Sequence, residues 1–435
     1  MISSVLFIVF FAIAITFFVK RILYIKRNIQ LGKKETINNQ PSARWQMMFR
    51  VAIGQSKMVK RPLAGILHIF IYVGFLLVNI EMLEIILDGV FNSHRLFSFM
   101  GGFYSFLINS FEFFALSVII ACFVFLLRRN VVKLPRFHSA EMTKGPKSDA
   151  NAILLTEIAL MTAFLSMNAA DSLLQEIGSA HYAQTGTFII SSLLKPLFAG
   201  FSESTLIFIE RGAWWFHIIG VLIFMNYVTY SKHLHIFLAF PNVYFSKLKA
   251  KGYLPNMESV RKEVELMLSP NLYSTPAQET EETVKFGASD ISDFSWKTLL
   301  DAYTCTECGR CTSVCPANIT GKKLSPRKLF MDIRDRSESI GNAMDLQKAN
   351  FQPDDKNLLN FITPEEVWAC TTCNACAEVC PVNINHTEVI FSLRRFLVME
   401  QSSAPAALNM CFKNIENNGA PWQFSPEDRL LWTEE

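Results

Sequence analysis

Long apolar blocks separated by shorter polar connections fill the first 240 residues, and an ordinary mixture of polar and apolar positions follows. Five blocks, near 3–25, 63–87, 103–127, 152–174 and 206–231, reach the roughly 20 helical residues needed to cross a hydrocarbon core of about 30 Å. The first has no basic residue before it and carries Lys20, Arg21, Lys26 and Arg27 around its end. A signal peptide shows the opposite order, so this block predicts an uncleaved anchor with its N-terminus outside. Lys and Arg set the remaining orientation. Lys33, Lys34, Arg44, Arg50, Lys57, Lys60 and Arg61 lie between blocks one and two, and Arg128, Arg129, Lys133, Arg136, Lys144 and Lys147 between three and four. The other two connections are poor in basic residues and carry Asp88, Asp171, Glu176 and Glu203. Both basic connections, and everything after residue 240, are therefore expected on the cytoplasmic side of a bacterial inner membrane.

Residues 241–295 read as a linker, with Pro255, Pro270, Pro276, an acidic stretch at Glu279–Glu282 and a short helix over Met257–Leu268. A further helix is expected over Phe294–Tyr303. Residues 296–400 show charged helical patterns such as Arg327–Ser337 and few strand signals, and 401–435 are left as a tail. The expected architecture is all-α: a transmembrane domain of five spans over 1–240, then a helical cytoplasmic domain. Half the residues are hydrophobic (51%) and the net charge is only +3, which gives no support for a nucleic-acid partner.

Eight of the ten cysteines fall into two runs, Cys305-Thr-Glu-Cys308-Gly-Arg-Cys311-Thr-Ser-Val-Cys315-Pro316 and Cys370-Thr-Thr-Cys373-Asn-Ala-Cys376-Ala-Glu-Val-Cys380-Pro381. Each is the C-x2-C-x2-C-x3-C-P pattern that holds a [4Fe–4S] cluster, the fourth cysteine serving the other cluster. This assigns Cys305, Cys308, Cys311 and Cys380 to one cluster and Cys370, Cys373, Cys376 and Cys315 to a second. Structural zinc takes separated cysteine pairs, and disulfides are disfavoured in the cytoplasm. The separator Pro316–Ala369 is longer than in a compact ferredoxin and reads as helical, which predicts an α-helical two-cluster ferredoxin domain. Cys122 reads as a small core residue, and Cys411 receives no role.

Histidines inside a span are costly unless ligated or paired. His68 lies one to two turns into the second block, His217 near the start of the fifth, and His235 just past its end. His217 and His235 are expected on one face of a continuous helix, about 27 Å apart; His233 is expected to point elsewhere, as an interfacial residue. Depth pairs His68 with His235 near the inner face, where the two would clamp one b-type haem. His217 needs a partner near the outer face, and neither His94 nor His181 is singled out for it. Glu81, Glu84 and Glu112 are candidate proton carriers, although helix ends facing outer water would explain them equally, Glu84 above all.

Arg61-Pro-Leu-Ala-Gly-Ile-Leu-His68, with Trp214–His217 and Ser231-Lys-His-Leu-His235, resembles the five-helix cytochrome b subunit of respiratory nitrate reductase. That family holds two haems with four histidines. The resemblance implies an inner haem on His68 and His235, whereas Val78 stands where the family has its second helix-two histidine. The soluble half resembles the membrane-bound iron–sulfur oxidoreductases related to heterodisulfide reductase, through Ser295–Cys305, Leu324-Ser-Pro-Arg327, Val367–Cys373 and Leu393-Arg-Arg395. Fused members of that group, including electron-transfer-flavoprotein:menaquinone oxidoreductases, continue into Cys-Cys-Gly domains. Here no Cys-Cys pair occurs, and the expectation is a Cys-Cys-Gly iron–sulfur subunit as partner, with electron-transfer flavoprotein as a further one. The resemblance implies a respiratory subunit passing electrons to menaquinone. The alternatives are a quinol-oxidising subunit of a heterodisulfide reductase-like complex and a non-catalytic membrane anchor.

Overall fold

The computed structural model describes residues 2–268 and 285–434, so Pro270, Pro276 and Glu279–Glu282 lie outside the described residues. Five helices are long and apolar enough to cross a membrane: Ile2–Ile29, Pro62–Phe91, Gly102–Leu126, Lys144–Glu176 and Glu203–Val228. Arg61 precedes Pro62, whose fixed φ and missing N–H suit a first helical turn. Asn92 ends the same span in the left-handed region. A π-helical turn, Leu127–Val131, continues the third span and carries Arg128 and Arg129.

The spans close into a ring. The second packs on the first and third, the fourth on the third and fifth, and the fifth returns to the first. Small residues let the helices approach: a Cβ on Gly74 would lie 2.9 Å from Val118, and one on Gly220 would lie 2.6 Å from Leu160. The core between them is apolar, built on Phe7, Ile108, Ala115, Phe164 and Ile218. Outward faces are apolar as well, with Val5, Phe17, Leu63, Phe106 and Phe208 exposed, as suits helices whose surroundings are lipid rather than water.

The acids at the far end of the ring do not face water. Glu84 is buried and accepts from Tyr104 Oη at 2.9 Å and the Phe97 amide at 2.7 Å; Glu112 accepts from Asn168 and the amides of Ile190 and Ser191. Arg95 binds Asp171 at 2.8 Å and Asn168 at 2.6 Å. These groups fasten the loops at that end to the helices. The reading of Glu84 as a water-facing helix end is thereby corrected.

No β-strand occurs among the described residues; Lys33 and Ser295 form one isolated bridge. The second domain is helical, with Trp296–Thr304, Pro326–Gln347 and His386–Met399 around a core of Leu299, Leu329, Phe330, Ile333 and Leu393. The helix expected near 257 is present as Glu258–Leu268. The linker reading of 241–295 needs correction at its start. His235–Tyr244 is a helix, and its Val243 lies in the core of the second domain. Arg44 of the first connection donates to the Tyr244 and Ser246 carbonyls.

The second domain sits at the end of the ring that carries the basic connections, and it is bolted there. Arg21 pairs with Glu338 at 2.9 Å, Arg27 with Asp345, Lys60 with Glu378 at 3.1 Å, and Arg327 with Glu141 at 2.6 Å. Asn28 packs onto Gly341, where any Cβ would clash with its amide, and donates to Tyr303 Oη at 3.0 Å.

Candidate redox site

The two cysteine runs fold as twins. In the first, Glu307 and Gly309 have φ of 50° and 69°; in the second, Thr372 and Asn374 have φ of 57° and 59°. Left-handed residues at matching places, two and four after the first cysteine, curl each loop so that its thiols turn inward. Glycine is needed at 309 on space as well, because a Cβ there would lie 2.6 Å from the Arg327 guanidinium.

Each loop meets the fourth cysteine of the other run. Cys315 lines a small cleft with Cys370, Cys373 and Cys376. Cys380 lies within electrostatic reach of Cys305, Cys308 and Cys311. Burial is the main cause that pushes the Cys305 and Cys376 thiols up to about 12 and that of Cys380 to about 11, with neighbouring thiols adding to it. Thiolates in such a place need a cationic centre to hold them. Amides point at two of the sulfurs, from Thr372 to Cys370 Sγ and from Ile384 to Cys380 Sγ, both at 3.4 Å. Among the described residues no three His, Cys, Asp or Glu converge on a single-ion position. The donor set fits a cube of iron and sulfur.

A cavity of about 400 Å³ runs inside the ring, lined by His68, His217, His233 and His235, and at its mouth by Arg128, Arg129, Arg136, Lys232, Glu307 and Cys308. Its walls are otherwise mainly apolar, as in ligand sites of this size. The Nδ1 of His68 is buried without a partner. His235 Nδ1 lies 3.0 Å from the Lys232 carbonyl and His217 Nδ1 2.9 Å from that of Leu160. Donation from Nδ1–H leaves each Nε2 as the free lone pair, the arrangement that orients a metal-ligating imidazole. Arg129 and Arg136 each keep a buried Nε without a partner, cations suited to carboxylate groups of a ligand at the mouth. These residues fit a haem, which His68 and His235 would hold, with the arginines as counter-charges for its carboxylates.

Two expectations about the histidines fail. The fifth span stops at Val228, and Lys232–Leu234 is a 3₁₀ turn before a new helix starts at His235. His217 and His235 therefore do not share one helix face, and both line the same cavity. The same turn brings His233 inward, its ring centroid 5.4 Å from that of His235. It is not an outward interfacial residue. Burial, then the neighbouring His235 and His68, hold its pKa down to about 3. His94 and His181 do not line the cavity, and His68 is the second span's one histidine among its lining residues.

Cys308 belongs to the first quartet and also lines the cavity. Beside it, burial alone would raise the Glu307 carboxyl, but Lys232 at 2.6 Å and Arg334 at 2.8 Å hold it below its ordinary value. The helix His235–Tyr244 links the two sites directly. It starts on a cavity histidine, and its Asn242 donates to the Val382 carbonyl and to Asp301, both at 2.9 Å. No signal in the sequence marked this helix apart from a linker.

Residues 304–384 match the 4Fe-4S dicluster domain family. The Probable iron-sulfur-binding oxidoreductase FadF of Bacillus subtilis is 29% identical over all of this chain. The chain is homologous to iron–sulfur oxidoreductases. An EtfAB:quinone oxidoreductase of Syntrophomonas wolfei is 27% identical over 92% of the chain. A protein of Archaeoglobus profundus, similar in turn to a component of heterodisulfide reductase, is 29% identical over 32% of the chain and 61% of that relative. The chain spans 61% of FadF and 55% of the quinone oxidoreductase. No solved structure matches it.

Proposed function

We propose that this chain is the membrane part of a respiratory oxidoreductase, carrying electrons from a cytoplasmic partner to menaquinone through two [4Fe–4S] clusters and one haem b. The observation that carries this reading is the double membership of Cys308, a ligand position of the first quartet that also faces the cavity of His68 and His235. The bundle is read as cytochrome b-like, with the cluster domain on the cytoplasmic side of the bacterial inner membrane and the N-terminus outside. Cys305, Cys308, Cys311 and Cys380 hold the cluster next to the cavity; Cys370, Cys373, Cys376 and Cys315 hold the outer one. When bound, clusters and haem supply one-electron redox chemistry.

The chain's own residues fix geometry and charge. His68 and His235 ligate the haem, with His235 aimed by the Lys232 carbonyl, and His217 is left for another role. Lys57 donates to the Cys380 carbonyl at 3.1 Å and places a cation beside the first cluster. The exposed Cys373 marks the entry side. The partner there is a Cys-Cys-Gly iron–sulfur unit or an electron-transfer flavoprotein, and the second of these is in the name of the EtfAB:quinone oxidoreductase relative. The helix Ala406–Asn418 buries none of its residues and leaves Met410, Phe412 and Ile415 exposed, which supports a protein partner on this domain.

The test is gentle-detergent purification of the chain with whatever accompanies it. Iron and pyridine-haemochrome assays should give two clusters and one haem per polypeptide. Reduced electron-transfer flavoprotein should bleach the oxidised clusters, and a menaquinone analogue should reoxidise them. Clusters that accept electrons but never return them to a quinone would sink the proposal.

A further inference from the structure

The deep half of the cavity contains a carboxylate that the electron path does not use. On the fourth span Ala150, Ile153, Leu154, Leu160 and Met161 line the cavity at helical spacing, and Glu157 stands in the middle of that row. Glu84, Glu112 and Asp171 are all hydrogen-bonded, whereas Glu157 has no hydrogen-bond or ion-pair partner among the described residues. An unpaired carboxyl group inside a bundle is expensive and marks function by default. One helical turn from Glu157, the Leu160 carbonyl holds Nδ1 of His217 at 2.9 Å and leaves Nε2 without a protein partner. From the second span Tyr72, Gly74, Phe75, Val78, Asn79 and Met82 line the cavity beyond His68, and no histidine among them pairs with His217. A lone imidazole and a lone carboxyl group on neighbouring helices, inside apolar walls, suit a flat ligand with two oxygens that gain or lose protons.

We propose that this deep half binds the headgroup of a para-quinone, with Glu157 as its proton-exchanging group and His217 Nε2 as the acceptor for a hydroxyl of the reduced headgroup. The inference rests on the quinone-linked reading above and names the site for it. Reduction turns both C=O groups of the quinone into C–O–H and consumes two electrons and two protons. The electrons come singly from the reduced iron–sulfur side. Glu157, as the carboxylic acid, gives one proton to the nearer oxygen and is reprotonated from water; water supplies the other proton. His217 Nε2 accepts the hydrogen bond of the hydroxyl formed at the far oxygen.

The experiment uses the full chain in lipid nanodiscs with menadione as probe, comparing wild type, Glu157→Gln and Glu157→Asp. Cluster and haem spectra establish that each variant is assembled. In infrared difference spectra, menadione binding to the oxidised wild type should perturb a protonated carboxyl C=O band, and Glu157→Gln should lose that band. Reoxidation of reduced clusters by saturating menadione should slow by roughly 100-fold in Glu157→Gln, the scale of a lost general acid, and recover in part in Glu157→Asp. An assembled Glu157→Gln protein that keeps the band, or keeps the rate, overturns the inference. A reduced wild type that cannot pass electrons to menadione at all overturns the quinone-linked reading itself.

Discussion

The two cysteine quartets share a loop conformation and differ in their surroundings. The first lies against the bundle: Cys305, Cys311 and Cys380 are buried, Cys308 opens on the cavity, and Lys57, Arg310 and Arg136 stand close. The second lies at the far side of the domain, with Cys373 exposed and its cleft walled by Pro326, Leu329 and His386 rather than by bundle residues. A matching loop conformation in unlike settings lets one chain hold two relays with different tasks. Charge and burial tune a cluster's potential, and exposure decides what reaches it. On this reading electrons enter at the second quartet and leave by the first.

The sharpest way to break that comparison is to remove one relay at a time. Cys308→Ser should abolish quinone reduction while the second cluster is still reduced by the donor, seen by electron paramagnetic resonance. Cys373→Ser should stop reduction of both. If Cys308→Ser also blocks reduction of the second cluster, the order of the relays is reversed. Next in size is the haem. His68→Ala and His235→Ala should each remove it by pyridine-haemochrome assay, whereas His233→Ala and His217→Ala should retain it. Loss of haem in His233→Ala with retention in His235→Ala would exchange the two as ligand.

The sequence disclosed most of what repeats or persists. Five spans are visible because a helix in lipid must stay apolar for its whole length, and the observed spans agree to within several residues except at the ends, such as Lys144, where polar turns extend the helix past the apolar block. The cysteine runs are visible because their spacing is the chemistry. What stayed hidden depends on breaks in periodicity. The helix spacing from His217 to His235 holds only if one helix runs through both, and the turn at Thr229–Leu234 ends it. Glu157 carries no mark in the sequence, because one acid in an apolar block looks alike whether it faces lipid, a partner or a cavity; only the packing of neighbouring spans decides. The helix His235–Tyr244 likewise reads as linker until Val243 and Asn242 are seen inside the second domain.

A smaller effect probes how the first quartet is held. Arg327 is fully buried, pairs with Glu141 at 2.6 Å and donates to the Arg136 carbonyl at 2.7 Å, bridging the first cysteine loop and the connection between spans three and four. Arg327→Ala leaves Glu141 without its partner, and breaking a buried pair on one side costs about 3–5 kcal/mol. Thermal release of the first cluster should come at lower temperature, with the second affected less. The double variant Arg327→Met, Glu141→Leu should recover much of the loss.

The smallest effect is electrostatic. Lys57 donates to the carbonyls of Cys380 at 3.1 Å and Ala377 at 3.4 Å, and the nearer of the two contacts is to a ligand position of the first quartet. A cation near a cluster favours its reduced, more negative form. Lys57→Met therefore lowers the potential of the first cluster, by roughly tens of millivolts for a partly screened charge, and shifts the second less. A redox titration followed by electron paramagnetic resonance reads both in one sample. Equal shifts in the two clusters would mean that the quartets feel one common field, and the division of labour between them would have to rest on exposure alone.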